Sequence, residues 1–264
     1  TEGMKQGLKF RSWLDDNFLN LKKEAAKTSS HLVLTKISTR MVGKYAYVRF
    51  YFDTSEAMGM NMATIATEAI NKFIRSKTGI ECLSKAGNFD VDKKPAWLNF
   101  ISGRGKKVWA ETIITKETLN SVLKVSALDI YDVWVGKCMM GSIMSGSMGA
   151  NAHFANILAA IFLATGQDIA HVVEGSMGIT TTQVSGENLY ISVYIPDLCI
   201  GTVGGGTKLP SQKEALSIMG VGVGENSSLK LAEICIAAVL AGEVSLLASL
   251  AEGSLASTHA RLAR

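Results

Sequence analysis

The sequence predicts an α+β fold in two parts, because the pattern of apolar residues changes along the chain. The first 80 residues or so combine two helical patterns with one strand hairpin. Near Ser84 the chain becomes loop-rich and basic as far as residue 107. The remainder is mostly apolar helical segments separated by glycine-rich stretches, with one clear strand. Helices and strands that are grouped along a chain are typical of the α+β class.

Two helices and a hairpin are predicted in the first part. Apolar side chains recur at helical spacing over residues 9–27 and again over 61–76. Between these helices, residues 31–40 and 45–52 have strand patterns around the turn Val42-Gly43-Lys44. A helix, a hairpin and a second helix within this length indicate a small α/β sandwich.

The second part is predicted to contain four helices and one strand. In chain order the segments are a helix over 116–128, a Gly/Ser/Met stretch over 136–149, a helix over 151–165, a strand over 188–195, a glycine loop over 201–207, and helices over 211–219 and 228–251. The sequence shows no internal repeat, so it does not predict a solenoid.

The composition fits a globular chain with a sizeable core and excludes several classes of protein. Of 264 residues, 47% are hydrophobic, and the net charge of +4 suits a polyanionic small ligand as well as nucleic acid. Four widely spaced cysteines predict neither a disulfide framework nor a zinc site. The longest apolar run found, residues 157–165, is shorter than the ~20 residues of a membrane helix, so no membrane segment is expected.

Three segments have the composition of ligand sites, although each also has an ordinary structural interpretation. The glycine loop over 201–207 could crowd backbone N–H groups around an anion or be a simple turn. Residues 56–62, EAMGMNM, could seat a dinucleotide or pack methionines into a core. Residues 87–95, GNFDVDKKP, could aim a lysine at developing negative charge or form a solvated turn.

Polar residues in the second part are also ambiguous when each is taken alone. Asn151 and Asn156 lie in an otherwise apolar helix, and Asp168 follows the end of that helix. Polar groups in such a setting need partners. His259 lies in a Ser/Thr-rich tail, where a surface position is the ordinary interpretation.

Taken together and in this order, the segments resemble the signatures of class I hydroxymethylglutaryl-coenzyme A (HMG-CoA) reductases. The matching segments are EAMGMNM, GNFDVDKKPAWLNFISGRGK, NAHFANI with GQD, NLYISVYIP with IGTVGGGT, and the closing THA. The resemblance extends from Trp13 to His259. It implies a small ferredoxin-like cofactor domain, residues 1–83, joined to a larger α/β domain built around a long helix, residues 84–264.

The resemblance also implies the NADPH-dependent, four-electron reduction of HMG-CoA to mevalonate and CoA. It assigns catalysis to Lys93, which would stabilise the oxyanion, to Asp168, which would tune proton transfer, and to His259, which would protonate the CoA thiolate. The implied cofactor residues are Ser29, Ser30, Glu56, Met58, Gly59, Met60, Asn61, Met62, Gly204, Gly205, Gly206 and Thr207. The implied substrate residues are Asp92, Lys94, Lys137 and Asn156, and no metal is implied.

Several expectations follow for the whole protein. The family shares active sites between subunits, so a homodimer or a tetramer is expected, in the cytoplasm or on a cytosol-facing domain of a membrane-anchored parent. The family's catalytic glutamate lies in a Glu-Asn-Val-Ile-Gly-like segment ahead of the small domain. No such segment is present here, so this chain is expected to lack an N-terminal catalytic segment and to be weakly active or inactive alone.

Two alternatives remain open from the sequence. The first is a catalytically incomplete CoA- or dinucleotide-binding protein of the same fold. The second is a nucleic-acid-binding module that uses the basic stretch between Lys93 and Lys107. The second is disfavoured because that stretch offers only Trp97 and Phe100 for stacking and the net charge is mild.

Overall fold

The computed structural model describes residues 1–253 and 260, and it confirms the α+β class. The chain divides into two compact units, Thr1–Asp92 and Lys93–Arg264. The division falls after Asp92, whereas the sequence placed the domain boundary after residue 83. His259, a predicted catalytic residue, lies outside the described residues.

The first unit consists of three helices and a two-stranded antiparallel sheet. Its elements are α1 (Met4–Asp16), α2 (Phe18–Ala26), β1 (Val33–Val42), β2 (Tyr45–Asp53) and α3 (Met60–Thr78). The single helix predicted over 9–27 is two helices, because the backbone leaves helical geometry at Asn17, with φ −101° and ψ 13°. The core of the unit is formed by the inner faces of the helices against the hairpin, with Leu14, Leu21, Leu34 and Ile70 fully buried.

The second unit surrounds a three-stranded antiparallel sheet in the order β3-β5-β4. Its strands are β3 (Lys106–Ile114), β4 (Ile179–Ser185) and β5 (Asn188–Leu198). Its helices are α4 (Trp97–Ser102), α5 (Lys116–Thr118), α6 (Ala127–Trp134), α7 (Ser142–Ser145), α8 (Phe154–Thr165), α9 (Val172–Gly175), α10 (Pro210–Ile218) and α11 (Ser227–Glu252). A π-helical turn, Val135–Gly141, joins α6 to α7, so the first part of the Gly/Ser/Met stretch over 136–149 is helical.

Two strands of this sheet were not predicted from the sequence. In β3, Val108 is buried whereas Trp109 and Ile113 are largely exposed, so its apolar residues do not mark one face. β4 is an edge strand with three consecutive threonines. The central strand β5 was predicted because its alternate residues Leu189, Ile191, Val193 and Ile195 are all buried and form a clear period of two.

α11 is the long helix around which the second unit is built. Leu231, Cys235 and Val239 are buried in one apolar cluster with α8 and β5, and Leu247 is buried in a second cluster. By length and composition, α11 is also the one helix of the described residues that could cross a membrane. A search for uninterrupted apolar runs misses it because Glu243 lies inside it.

Glu243 is a fully buried carboxylate in the middle of α11. It accepts hydrogen bonds from the amides of Ala152 and His153, both at 2.8 Å, and from the hydroxyl of Thr180 at 2.6 Å. These bonds fix the start of α8 and the edge strand β4 to the long helix. The carboxylate also satisfies two amides beside the positive end of the α8 dipole, where a negative charge is favourable.

We expect Glu243→Ala to destabilise the second unit strongly, because one buried and two part-buried donors would lose their acceptor. Each unsatisfied group costs ~1–3 kcal/mol, so the free energy of unfolding should fall by about 3 kcal/mol or more. Urea denaturation measures this change. Glu233→Ala, on an exposed position of the same helix, is the matched control and should change stability little. Equal decreases in the free energy of unfolding of the two variants would contradict the structural role of Glu243.

Candidate active site

Lys93 begins the second unit in a strained loop. Its backbone has φ 58°, and Val91, two residues earlier, has φ 51°, although neither residue is glycine. Such left-handed residues cost ~1–3 kcal/mol each and persist only where their surroundings hold them. The side-chain ammonium of Lys93 lies 2.8 Å from Oδ2 of Asp168, which makes this ion pair the centre of the candidate site.

Asp168 is placed by the way in which α8 ends. Gly166 terminates the helix in the left-handed conformation, with φ 71°, and the chain then turns through Gln167 to Asp168. Asp168 caps the following 3₁₀ turn, because its Oδ1 accepts the amide of Ala170 at 3.2 Å. The hydrogen bond from Lys93 lowers the pKa of Asp168, as does the bond from Ala170. Asp168 is therefore a carboxylate at neutral pH and favours the ammonium form of Lys93.

The turn that carries Asp168 is bonded to the glycine loop. The side-chain amide of Gln167 donates to the carbonyl oxygen of Gly201 and accepts from its backbone N–H, both at 2.9 Å. This pair of bonds mimics a backbone pairing between two segments that are 34 residues apart. The glycine loop and the Lys93–Asp168 pair are therefore parts of one structure.

Two glycines allow the turn and the loop to meet backbone to backbone. A Cβ on Gly166 would lie 2.4 Å from the carbonyl carbon of Gly206, and a Cβ on Gly206 would lie 2.8 Å from the carbonyl oxygen of Gly166. Gly204 and Gly205 have φ of 90° and 55°, and Thr207 donates to the carbonyl of Gly204 at 2.7 Å. The loop therefore keeps its shape by its own bonds and by contact with the turn.

Three charged residues were missed by sequence reasoning: the buried Glu174 and Asp197, and the part-buried Arg104. Glu174 is fully buried, and its Oε1 accepts the backbone N–H of Lys93 at 2.5 Å and Nη1 of Arg104 at 2.9 Å. Asp197 is also fully buried. Burial raises the pKa of Glu174; it also raises that of Asp197 to about 7, with the charge of Glu174 as the second cause. The sequence pattern that could have revealed Glu174 is an acidic residue among the apolar residues of Val172–Gly175.

The profile of the hydroxymethylglutaryl-coenzyme A reductase family matches residues 1–264, the whole length of the chain. The chain belongs to this family. Relatives support the assignment: the 3-hydroxy-3-methylglutaryl-coenzyme A reductase of Methanocaldococcus jannaschii is 49% identical over 270 residues, and that of Aeropyrum pernix is 48% identical over 258 residues. These alignments cover 100% and 96% of this chain. They span 66% and 61% of the relatives, so the chain corresponds to less than two thirds of either.

Solved structures of HMG-CoA reductases show the same fold. The class II enzyme of Streptococcus pneumoniae bound to NADPH in open conformations is similar with a TM-score of 0.68, at 19% identity over 91% of this chain and 66% of that chain. A second structure of a Streptococcus pneumoniae HMG-CoA reductase gives a TM-score of 0.65 at 18% identity, over 91% of this chain and 58% of that chain. At this identity the similarity establishes the fold of this HMG-CoA reductase family member.

The cofactor residues expected for an HMG-CoA reductase lie in both units. Gly204, Gly205, Gly206 and Thr207 are in the second unit, beside Asp168. The first-unit residues surround the start of α3 and the start of β1; they are Ser29, Ser30, Glu56, Met58, Gly59, Met60, Asn61 and Met62. Gly59 is the N-cap of α3, with φ 92°, and Met62 packs partly against the core of the unit.

The expected substrate residues are distributed over several elements. Asp92 and Lys94 flank Lys93 in the strained loop. Lys137 is exposed on the π-helical turn Val135–Gly141. Asn156 is exposed in the first turn of α8, where its Nδ2 lies 3.5 Å from Nδ1 of His153. The structure thus brings Lys93 and Asp168 together and places Lys137 and Asn156 on other elements of the same unit.

We expect Gly166→Ala to damage the candidate site more than an ordinary glycine substitution would. The new Cβ would overlap the backbone at Gly206, and the left-handed φ disfavours alanine. The thermal midpoint should fall, and a stability loss of ~1–3 kcal/mol is expected. Gly186→Ala is the control, because Gly186 has a similar φ of 61° but open space at its Cβ. If both variants have the same thermal midpoint, the contact with Gly206 does not constrain the turn.

Proposed function

We propose that this chain forms the reducing core of an HMG-CoA reductase, which converts HMG-CoA to mevalonate and CoA with two NADPH. The observation that carries the proposal is the Lys93–Asp168 ion pair, held at 2.8 Å on a turn that is bonded to the glycine loop. Family membership, with its profile matching residues 1–264, supports the substrate. The NADPH named for the Streptococcus pneumoniae enzyme supports the cofactor.

The glycine loop has the features that a dinucleotide requires. Gly204 and Gly205 adopt conformations that favour glycine, and a Cβ on Gly204 would meet open space among the described residues. A pyrophosphate could therefore approach the backbone N–H groups directly. In the first unit, the start of α3 at Gly59 offers a second N-terminus for anionic groups. When bound, NADPH would supply the hydride for each reduction step.

Lys93 would stabilise negative charge on the substrate oxygen. Its ammonium is held by Asp168, whose lowered pKa keeps the carboxylate ionised at neutral pH. As the thioester carbonyl is reduced, the oxygen becomes an alkoxide, and a preorganised ammonium stabilises it without reorganisation. The same group would serve the second reduction, at the aldehyde. Family resemblance assigns protonation of the departing CoA thiolate to His259.

Two expected site residues lie at opposite ends of α8, and this separation supports active sites shared between subunits. Asn156 lies in the first turn of α8, and Asp168 lies just beyond its last residue, Thr165. The helical stretch between Asn156 and Thr165 spans about 14 Å, which is longer than the short HMG acyl group. Asn156 and Lys137 would therefore act most readily on substrate held by the Lys93 of a second subunit in a homodimer or tetramer.

We expect Lys93→Met to lower the turnover of HMG-CoA by about 10²–10³-fold, because the oxyanion would lose its charge partner. Binding of NADPH should persist, since the ammonium faces Asp168 and the substrate carbonyl. The measurement is steady-state oxidation of NADPH by protein expressed from its full reading frame, together with nucleotide binding by fluorescence.

Lys107→Met is the matched control for this variant, because Lys107 is exposed and lies outside the site. It should retain the wild-type rate. A Lys93→Met enzyme with more than about a tenth of the wild-type turnover would exclude the oxyanion role, given the size of such effects in other enzymes.

We expect NADPH to be preferred over NADH by a modest margin, because Ser30 stands where the family has an arginine for the 2′-phosphate. Ser30 is exposed just before β1, and a neutral hydroxyl forms a weaker bond to phosphate than a guanidinium does. Ser30→Arg should widen the preference by about tenfold, as a charged hydrogen bond replaces a neutral one. The measurement is kcat/KM for both cofactors.

Ser76→Arg adds the same charge at an exposed position in the last turn of α3 and serves as the control. It should leave the cofactor ratio unchanged. An unchanged ratio in Ser30→Arg as well would show that position 30 does not face the phosphate.

A further inference from the structure

Lys93 is held at two points by one short piece of chain. Asp168 begins the 3₁₀ turn Ile169–His171, which continues directly into α9, Val172–Gly175. Asp168 at the start of this piece contacts the side-chain Nζ of Lys93, and Glu174 near its end accepts the backbone N–H of Lys93. Asp168 therefore binds the side chain of Lys93 and Glu174 binds its backbone. The two acids are 75 and 81 positions from Lys93 in the sequence.

We propose that Glu174 is a positioning residue for Lys93: it holds the backbone of the lysine in its left-handed conformation, so that the ammonium meets Asp168. This inference deepens the proposed function, on which it rests for the catalytic role of Lys93. Family resemblance assigned no role to Glu174. The backbone conformation of Lys93 is unfavourable for a residue with a side chain, so a bond to its N–H is the kind of contact that maintains it.

Glu174 forms an ion pair with Arg104, and this pair holds the carboxylate in place. Nη1 of Arg104 lies 2.9 Å from Oε1 of Glu174 and 3.4 Å from Sγ of Cys199. Arg104 lies between two glycines of positive φ, and a Cβ on the second, Gly105, would lie 2.4 Å from the carbonyl oxygen of Leu198. The backbone beside the arginine thus packs against the end of β5, and the arginine side chain contacts Cys199, the residue that follows β5.

Several ionisable residues influence the pKa of Glu174 or have a pKa that Glu174 influences. His171 belongs to the same turn, Arg104 to the segment between α4 and β3, Asp197 to β5, and Lys93 to the strained loop. Burial raises the pKa of Glu174, while Lys93, His171 and Arg104 lower it. The net pKa of Glu174 is raised because burial is the largest cause, and the bond from Lys93 and the charges of His171 and Arg104 offset part of that rise.

The test measures the accessibility of Lys93 directly, in the protein expressed from its full reading frame. Trace acetylation with acetic anhydride, read by peptide mass spectrometry, gives a rate for each lysine. In Glu174→Gln, the amide cannot pair with Arg104 as the carboxylate does, so Lys93 should be acetylated several-fold faster than in the wild type. Lys116, which is paired with Glu187, should be acetylated at its wild-type rate.

Glu187→Gln provides the matched control, because it removes an exposed carboxylate from a lysine. It should speed the acetylation of Lys116 alone. Turnover gives the second readout: Glu174→Gln should lower kcat for HMG-CoA by about tenfold or more, because a small misplacement of a catalytic group is costly. The KM for NADPH should change little. A purely structural role would instead lower the amount of folded enzyme and leave kcat per folded molecule unchanged.

Wild-type acetylation of Lys93 in folded Glu174→Gln would overturn the proposal. If Glu174→Gln does not fold, Arg104→Lys tests the same pair, since it keeps the buried charge but not the guanidinium geometry; faster acetylation of Lys93 supports the proposal and an unchanged rate overturns it. The labelling result does not depend on the reaction. Failure of the proposed function would appear separately, as a wild-type protein that does not reduce HMG-CoA.

Discussion

The backbone contact between the turn that ends α8 and the glycine loop is the constraint on which the candidate site depends. Gly166 and Gly206 meet with no room for a side chain on either, and Gln167 bonds to both backbone groups of Gly201. A substitution that separates the two segments would move Asp168 and the loop together. The glycines therefore serve the assembly of the site as much as any contact with a ligand.

Two buried acids, Glu243 and Glu174, connect other elements of the second unit to the segments that meet at Gly166 and Gly206. Glu243 fixes the start of α8 to the long helix α11, which determines where the other end of α8 delivers Asp168. Glu174 connects the piece of chain after Asp168 to Lys93 and Arg104. Each of these carboxylates accepts more than one hydrogen bond, as buried charges require. The start of α8 and the piece of chain that follows Asp168 are thus each held by a buried carboxylate.

The sequence predicted elements wherever one face of an element is buried, and it failed where tertiary contacts decide. α3 and β5 follow a clear period, the hairpin is marked by its glycine turn, and α8 and α11 are strongly apolar segments. Lys93 and Asp168 were identified as candidates through family motifs. β3 was missed because Trp109 and Ile113 are exposed on it. Glu174 and Arg104 were missed because they meet across 70 residues, and no local pattern reports such a pair.

Asp168, Glu174 and Asp197 have different surroundings, and these shift their pKa values in different directions. Asp168 is partly exposed and bonded to the ammonium, so its pKa is lowered. Asp197 is fully buried beside Glu174, and its pKa rises to about 7. Glu174 is buried too, but it meets Arg104 and the Lys93 amide. Because the charge nearest the ammonium is the most exposed and most acidic of the three, the Lys93–Asp168 pair stays ionised at neutral pH. An ammonium that is already charged and already oriented is the form that can stabilise an alkoxide as it appears.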